Sequence, residues 1–266
     1  MSETIDVAFT PDEIVGSLPR AASVVVIDVV RASTTIVAAL THGARGVVPV
    51  GTPEEGVARL RASPAGSAIL GGERGGIPLP GFQCGNSPVE YTAERVGGRT
   101  VVFTTTNGTR ALLAVASVAR VAVGGFVNAA AVVRWLARVP GGALLVCAGE
   151  LGRFCLEDAT CAGLLAARLR TERPHTVLSD GARAAEILYA HYRDDLSRVL
   201  DDAAWARVLA ARGQGADLPP CVGLDTSEIV PIVRDGTLVV AEPENRRVVT
   251  GIETACQSEA ASSETR

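Results

Sequence analysis

Residues 23–30 read SVVVIDVV, a run of valine and isoleucine broken by a single acid, Asp28. Apolar and polar residues do not alternate in this run, so we predict a β-strand that is buried on both faces. Such strands are typical of sheets whose two faces are covered by helices. The run therefore indicates an α/β fold.

Outward from this run, short β-branched stretches alternate with helical ones. Thr52-Pro-Glu-Glu55 is a capping box with proline at the first helical position, which predicts a helix over residues 53–61. Arg234-Asp-Gly236 separates two apolar runs and predicts a hairpin. The other predicted strands are residues 46–50, 68–70, 100–104, 121–123, 143–147, 229–233 and 238–241, and the other predicted helices are residues 33–43, 109–117, 129–137, 157–170, 180–192 and 201–212.

Strand–helix alternation predicts a layered α/β/α architecture with a largely parallel or mixed sheet. We expect a single catalytic unit over residues 1–250. Residues 24–51 and 101–124 both run strand, polar loop, helix, strand, and this echo suggests two similar lobes, about 1–125 and 126–250. Residues 257–266 are small and polar, and we expect a disordered tail there.

The charge balance limits the classes of partner. The net charge is −4, so we expect neither nucleic acid nor a membrane as partner. All 25 basic residues are arginine, so any bound anion must be held by arginine and backbone N–H groups. The six cysteines form no C-x-x-C pair, and neither a signal peptide nor a membrane-length apolar run is present, which favours a reduced, cytoplasmic protein. A homodimer is compatible with the sequence.

Polar residues gather in four loops that each follow a predicted strand. Open α/β sheets bind ligands at the carboxyl ends of their strands, so we expect these loops to form the functional site around a small anionic phosphate ester. The loops are residues 28–35, 71–90, 104–110 and 149–158.

Asp28 lies inside the apolar run of residues 23–30, where the predicted strand leads into the first loop. A buried charge is costly unless it is paired or bound to a metal. An ion pair with Arg31 or a cap at the strand end would explain Asp28, and so would a catalytic role, which we favour.

The third loop predicts an anion site, because hydroxyls and N–H groups collect where a strand ends and a helix begins. Arg110 in the first helical turn favours a bound anion. An ordinary turn and helix cap explains the same sequence equally well. The candidate phosphate-binding residues here are Thr105, Thr106, Asn107, Gly108 and Thr109.

Four carboxylates predict a Mg²⁺ site, since Mg²⁺ prefers hard oxygen ligands. Glu73 lies beside Arg74 among four glycines, in a loop that is either a solvated tip or a mobile lid. Glu157 and Asp158 open a predicted helix, where acids are favoured in any case. Asp28 completes the set.

The segment from Cys147 to Arg153 has the C-x5-R spacing of cysteine-dependent phosphatases, whose thiolate attacks phosphate beneath a helix. Val146 precedes it and Phe154 follows it, where a histidine and a hydroxyl residue are usual. A Cys147 nucleophile is therefore kept as an alternative.

The four loops together resemble the 2-phosphosulfolactate phosphatase (ComB) family, over about residues 6–241. The motifs that carry the resemblance are VVIDVVRAST (25–34), GGERGG (71–76) with GFQCGNSPVEY (81–91), TTTNGTRAL (104–112) and CAGELGRFCLED (147–158). This chain departs from the family pattern at Gln83-Cys84, Glu150 and Cys155.

The resemblance implies an unusual α/β fold and Mg²⁺-dependent removal of phosphate from 2-phosphosulfolactate. It places Asp28, Arg31, Glu73, Arg74, Asn86, Ser87, Thr106, Asn107, Thr109, Arg110, Glu157 and Asp158 on motif positions.

We expect these groups to act together on a 2-phospho acid. Asp28, Arg31, Glu73 and Arg110 are the expected catalytic residues, with Asp28 orienting water or attacking directly. Arg74, Asn86 and Ser87 join the third loop in binding substrate. The alternatives are a Cys147/Arg153 phosphatase and a non-catalytic binding protein for anionic metabolites.

Overall fold

The computed structural model describes residues 3–14 and 21–241, so the tail predicted at 257–266 lies outside the described residues. One mixed sheet runs through this part of the chain. Its strands are β1 (Thr4–Ala8), β2 (Ala21–Ile27), β3 (Gly46–Pro49), β4 (Ala68–Arg74), β5 (Ile77–Pro78), β6 (Thr100–Thr104), β7 (Val121–Gly124), β8 (Gly142–Cys147), β9 (Val177–Leu178), β10 (Pro231–Arg234) and β11 (Thr237–Val240).

Helices connect most of these strands. They are α1 (Ala32–Thr41), α2 (Pro53–Ala62), α3 (Ala93–Val96), α4 (Gly108–Ala114), α5 (Ala129–Arg138), α6 (Leu156–Glu172), α7 (Asp180–Tyr192), α8 (Ser197–Asp202), α9 (Ala204–Leu209) and α10 (Leu218–Cys221). A π-turn, Ala210–Gln214, and a 3-10 turn, Gly215–Asp217, join α9 to α10.

The sheet has two parallel halves joined by a hairpin. The strand order is β5-β4-β6-β3-β11-β10-β7-β2-β8-β1-β9. Strands β3, β4 and β6 are mutually parallel, and so are β1, β2, β7, β8 and β9. The hairpin β10–β11 is antiparallel to a strand on each side. In a flat sheet, the strands of the two halves would therefore run in opposite directions, and their carboxyl ends would lie at opposite edges.

Sheet twist brings the two sets of strand ends back together. Five neighbour steps separate β6 from β2, and at about 20–25° each they rotate one strand relative to the other by roughly 100–125°. The result is direct contact between the loops after β2 and β6: a Cβ placed on Gly108 would lie 2.7 Å from Asp28 Oδ2. The site therefore lies where the two halves meet.

The apolar core explains why the strand at residues 23–30 does not alternate. Val25 and Ile27 pack with α5, α6 and α7 on one face. Val24 and Val26 pack on the other face with α1 and α4, together with apolar residues of β3, β4 and β6. Both faces of β2 are thus covered. The predicted α/β class with a layered architecture and a mixed sheet is confirmed.

Several local predictions are confirmed. The Thr52 hydroxyl accepts a hydrogen bond from the Glu55 N–H at 3.2 Å and caps α2. The Glu55 carboxylate in turn accepts from the N–H of Gly51 at 3.0 Å, one residue earlier than a standard capping box. The predicted hairpin forms, with Asp235 and Gly236 both at positive φ (49° and 73°).

Other local predictions need correction. Glu73 and Arg74 lie in β4, which pairs with β5, and not in a solvated loop tip; Gly75 and Gly76 make the turn with φ of 56° and 82°. The helix predicted over residues 201–212 is divided, because Ala203 is extended. Strands β1, β5 and β9 were not predicted; β5 and β9 have only two residues each.

The two-lobe suggestion stays a prediction, and the strand order gives it no support, because β2 lies between β7 and β8. The echoing units are β2-α1-β3 and β6-α4-β7, and each crosses from one half of the sheet to the other. Within residues 3–14 and 21–241, no helix has both the length and the apolar character to cross a bilayer.

Candidate functional site

A small enclosed cavity of about 10 Å³, roughly the room for one water, lies where the strand ends converge. Three of the four predicted loops contribute to its wall, and α9 closes it from outside. Its lining residues are Asp28, Val30, Arg31, Glu73, Gly76, Asn86, Thr106, Asn107 and Trp205.

Asp28 is the acid that follows β2, and its carboxylate faces this cavity. Its Oδ1 accepts the N–H of Ala32 at 3.1 Å, while Oδ2 accepts no hydrogen bond from the described residues. Burial raises the pKa of Asp28 to about 7; the Ala32 hydrogen bond opposes the shift, and the charges of Glu73, Glu157 and Glu150 add to it. A functional carboxylate in a crowded acidic site fits this environment better than a helix cap.

Glu73 holds two loops together. One oxygen accepts the backbone N–H of Thr106 at 2.7 Å, and the other accepts the N–H of Gly76 at 2.6 Å and the Thr106 hydroxyl at 3.1 Å. Both oxygens are therefore occupied by protein donors. Glu73 shapes the cavity wall by joining the β4–β5 turn to the loop after β6.

Arg74 points away from the cavity. Its guanidinium donates to the Thr104 hydroxyl at 2.8 Å and to the carbonyls of Glu73 and Gly51. These partners lie beside β4 and β6, so the structure does not bring Arg74 to the substrate side. Its predicted role in binding substrate has no geometric support.

Arg31 is buried in the wall and forms an ion pair with Asp217 at 2.5 Å. Asp217 also accepts the Ser87 hydroxyl, so one carboxylate from the 3-10 turn holds two predicted site residues. Arg31 further donates to the Gly76 carbonyl, at a longer 3.3 Å. The ion pair that we considered for Asp28 with Arg31 does not form, because Asp217 takes that guanidinium.

Asn86 contributes a buried acceptor without a partner. Its backbone carbonyl accepts the Thr35 hydroxyl at 2.9 Å, but its side-chain Oδ1 has no hydrogen-bond donor among the described residues. An unpaired buried amide oxygen is costly, so it indicates a missing donor or cation in the cavity.

The loop after β6 is held largely by its own contacts. The hydroxyl of Thr109 accepts the Thr105 N–H at 3.0 Å, and the hydroxyl of Thr105 accepts the Thr109 N–H at 3.1 Å. The Thr105 hydroxyl therefore caps the first turn of α4, the Thr109 hydroxyl is held by the backbone of Thr105, and neither residue lines the cavity. Of the residues predicted to bind phosphate here, Thr106 and Asn107 line the cavity.

Asn107 connects the third loop to the fourth. Its Nδ2 donates to Glu150 at 2.5 Å, and its Oδ1 accepts the Leu151 N–H at 3.0 Å. Arg110 instead forms a surface ion pair with Asp12 at 2.5 Å, with 48% of its side chain exposed. The structure does not bring Arg110 to the cavity.

The fourth loop and the start of α6 supply acids that lie behind Asp28 and do not line the cavity. Asp158 accepts the N–H groups of Val29 and Gly149 at 2.8 and 3.1 Å. Burial raises its pKa well above the ordinary value, and the charges of Asp28 and Glu157 add to the rise. Burial likewise raises the pKa of Glu157, and the charge of Glu150 adds to it. These acids support the loops and intensify the negative field at Asp28.

The predicted Mg²⁺ ligands are not gathered as one set of four. In the described part of the chain, no three acidic, histidine or cysteine side chains are grouped as a metal site. Both oxygens of Glu73 and of Asp158 already accept protein N–H groups. Mg²⁺ needs only one or two carboxylates besides water and substrate oxygens. Asp28 Oδ2 and Asn86 Oδ1 are hard donors that fit this need.

The cysteine alternative is not supported by the structure. Cys147 is 1% exposed at the end of β8, and burial raises the pKa of its thiol well above the ordinary value, with Asp158 adding to the rise. The Arg153 side chain is exposed. A thiolate nucleophile requires the opposite, a depressed pKa and access to substrate.

A wider groove of about 630 Å³ lies at the amino ends of β1, β8 and β9. Arg173 in its wall already donates to Glu3 and to the carbonyls of Gly141, Leu136 and Val139. Arg173 is therefore engaged within the protein, and none of the four predicted loops lines this groove, so we place the functional site at the smaller cavity.

Two residues of the site were missed from the sequence: Trp205, which lines the cavity, and Asp217, which holds Arg31 and Ser87. Trp205 and Asp217 come from a helical region without a recognisable motif. A lone aspartate and a lone tryptophan in such a region carry no local signal, and only the tertiary structure shows their positions.

Comparison with known proteins shows the family of the chain. The family model described as 2-phosphosulpholactate phosphatase matches residues 8–236. The chain belongs to this family. The prediction of the family, and of an enzyme of the phosphoric monoester hydrolase class, is confirmed.

Individual members of the 2-phosphosulpholactate phosphatase family are similar over most of the chain. A Symbiobacterium thermophilum protein is 41% identical over 82% of this chain and 94% of its own length. A Thermotoga petrophila protein is 38% identical over 82% of this chain and 92% of its own length. A Caldanaerobacter subterraneus protein is 36% identical over 80% of this chain and 88% of its own length. Each is described as a probable 2-phosphosulfolactate phosphatase.

Proposed function

We propose that this chain hydrolyses the phosphate ester of a small anionic acid, 2-phosphosulfolactate or a similar 2-phospho acid, and releases inorganic phosphate. The observation that carries the proposal is the convergence of Asp28, Arg31, Asn86 and Thr106 on one cavity at the strand ends. Family membership supports the reaction class and the names of relatives support the substrate class.

The charge of the site supports a requirement for a divalent cation. The charges of Glu73, Glu157 and Glu150 all act on Asp28, and the guanidinium of Arg31 is already paired with Asp217. An anionic phosphate would be repelled by this surplus of acids. We propose Mg²⁺ held by Asp28 and Asn86. When bound, it would neutralise phosphoryl oxygens and polarise the ester.

The chain's own residues then position the reactants. The Ala32 N–H fixes one oxygen of Asp28, and the other oxygen would hold Mg²⁺ together with the Asn86 side chain. Arg31 offers remaining guanidinium N–H groups to a phosphoryl oxygen. Trp205 covers the cavity and excludes bulk water, which strengthens the electrostatic interactions inside it.

Phosphate release from 2-phosphosulfolactate, with Mg²⁺ or with EDTA, tests the proposal. We expect Mg²⁺-dependent turnover by the wild type and a loss of about 100-fold or more in Asp28→Asn, the range of general acid–base and positioning effects. Cys147→Ala is the matched control for the thiolate alternative and should keep activity within about threefold, because the thiol is buried.

Two results would contradict the proposal. Tight binding of the ester without phosphate release would favour a binding protein, and metal-independent activity abolished by Cys147→Ala would favour the thiolate mechanism. A cytoplasmic location and a homodimer stay predictions.

A further inference from the structure

Arg212 lies at the rim of the cavity, on the π-turn that follows α9. Its guanidinium carbon is 5.6 Å from the centroid of the Trp205 ring, and Trp205 lines the cavity. Its Nη1 donates to the Gly75 carbonyl at 2.6 Å. Arg212 is thereby held beside the site by an aromatic face and a carbonyl.

The segment that carries Arg212 is docked on the β4–β5 turn. The Gln214 side chain donates to the Gly76 carbonyl at 3.0 Å. A Cβ on Gly76 would come within 3.2 Å of Trp205 and of Leu209, so the missing side chain allows close packing. The position of Arg212 is therefore built into the fold, although its side chain is exposed.

Three other arginines of the site loops already have partners within the protein. Arg31 is paired with Asp217, and Arg110 is paired with Asp12. Arg74 donates to the Thr104 hydroxyl and to the carbonyls of Glu73 and Gly51. Among the described residues, Arg212 has neutral hydrogen-bonding partners and no carboxylate within ion-pair distance. Burial raises the pKa of Glu150 and the charge of Arg212 opposes that rise, so Arg212 lies near this acid without forming an ion pair that would hold its guanidinium.

The size of the cavity places the rest of the substrate at this rim. About 10 Å³ holds one water, so even a phosphoryl group requires the wall to adjust. The substituents on the ester carbon must then lie outside this space, and the rim beside Trp205 is one place that could take them. An acid group there would meet the guanidinium of Arg212, whose planar fork suits carboxylate and sulfonate oxygens.

We propose that Arg212, presented on the face of Trp205, binds the second acid group of the substrate, a carboxylate or a sulfonate. It thereby selects phosphate esters of acids over those of neutral alcohols. This inference rests on the proposed function, because it assumes that the phosphate enters the cavity lined by Asp28.

Steady-state kinetics with three esters test the assignment. We expect Arg212→Gln to raise KM for 2-phosphosulfolactate by about 10- to 100-fold, the usual effect of losing a charge-assisted hydrogen bond, with kcat within about threefold. KM for isopropyl phosphate, which lacks acid groups, should change less than about twofold. If Arg212→Gln raises KM for 2-phospholactate by a comparable factor, the carboxylate is the bound group. If KM for 2-phospholactate changes little, the sulfonate is the bound group.

Arg207→Gln is the matched control. It removes the same charge from the same helical segment, but Arg207 donates to the carbonyls of Asp201 and Asp202, away from the cavity. Its KM for all three esters should match the wild type. An equal effect of Arg212→Gln on isopropyl phosphate, or no effect on any ester, would overturn the inference.

Binding without turnover separates this inference from the proposed reaction. Calorimetry of 2-phosphosulfolactate on Asp28→Asn protein, with Mg²⁺, should show a Kd at least about tenfold weaker when Arg212→Gln is added. Such a result would stand even if the wild type released no phosphate. Equal affinity with and without Arg212→Gln, or no measurable binding to either protein, would overturn the assignment of Arg212.

Discussion

Gly108 begins α4 at the point where the two halves of the sheet touch. A Cβ at this position would lie 2.6 Å from the Ala32 Cβ and 2.7 Å from Asp28 Oδ2. Real Cβ atoms do not approach other atoms this closely, so an alanine would have to push the loop after β2 away from α4. The absent side chain thus decides where Asp28 is held.

Gly108→Ala should therefore reduce both stability and activity. We expect a loss of about 1–3 kcal/mol in the free energy of unfolding, from overpacking, and at least a tenfold loss in kcat/KM because Asp28 is displaced. Urea denaturation and phosphate release measure these effects. Gly125→Ala is the control, because its nearest neighbours would be 3.7 Å away. Equal behaviour of the two variants would contradict the close-approach explanation.

At the scale of elements, one buried ion pair ties the C-terminal helical region to the strand-end loops. Asp217 accepts from Arg31, 186 residues earlier in the chain, and from Ser87, 130 residues earlier. The side chains of the pair are 3% and 8% exposed. Loss of either partner would leave an uncompensated charge or an unpaired donor in the interior.

Asp217→Asn should destabilise the protein by about 3–5 kcal/mol, as removal of one partner of a buried pair does. Amide hydrogen exchange should rise first in residues 204–221, which the pair holds against the loops. Replacing both partners, with Arg31→Met and Asp217→Leu, should recover most of the stability but not the activity.

Asp12→Asn breaks the exposed pair with Arg110 and serves as the control, with an expected change below about 1 kcal/mol. If Asp217→Asn also changed the free energy of unfolding by less than about 1 kcal/mol, the buried pair would not anchor residues 204–221.

At the scale of the whole molecule, the fold carries a cluster of carboxyls whose pKa values are raised. The pKa of Asp28 rises from 3.8 to about 7, and burial also raises those of Glu157 and Asp158. The folded chain therefore binds more protons than the unfolded chain between about pH 4 and 7. Stability of the metal-free protein is highest at the acidic end of this window and is lost as the pH rises through the folded pKa.

Thermal denaturation in EDTA should show a lower Tm at pH 8 than at pH 5.5, and Mg²⁺ should raise the Tm at pH 8. Asp28→Asn should be more stable than the wild type at pH 8, by an amount on the order of a few kcal/mol, because it removes a buried charge. Asp201→Asn, at an exposed position, should follow the wild type. A Tm that is equal at both pH values without metal would show that the carboxyls titrate normally.

The local elements could be predicted because their signals are local. The valine run of β2, the Thr52 cap of α2 and the Asp235-Gly236 turn each depend on residues within about four positions of one another. The carboxyl ends of strands also predicted which loops form the site. Asp28 and Thr106 lie at one cavity because they follow β2 and β6, and Glu73 joins them from the last residues of β4.

Side-chain partners could not be predicted in the same way. Arg74 and Arg110 were expected at the phosphate, but nearer acceptors, Thr104 and Asp12, take their guanidinium groups. Trp205 and Asp217 were not expected, since they come from a region more than a hundred residues beyond the loops that they touch. A hydrogen bond reaches about 3 Å, so its partner depends on distances that only long-range packing sets.

By itself, the amino-acid sequence determined the α/β class, the order of strands and helices along the chain, and the loops that carry the acids. Only the tertiary structure decided that the two halves of the sheet run in opposite directions and meet through accumulated twist. It also decided which arginine remains available to an anion. The reason is physical: backbone periodicity is set by neighbours in sequence, whereas burial, charge and pairing at the site are set by residues that folding brings together.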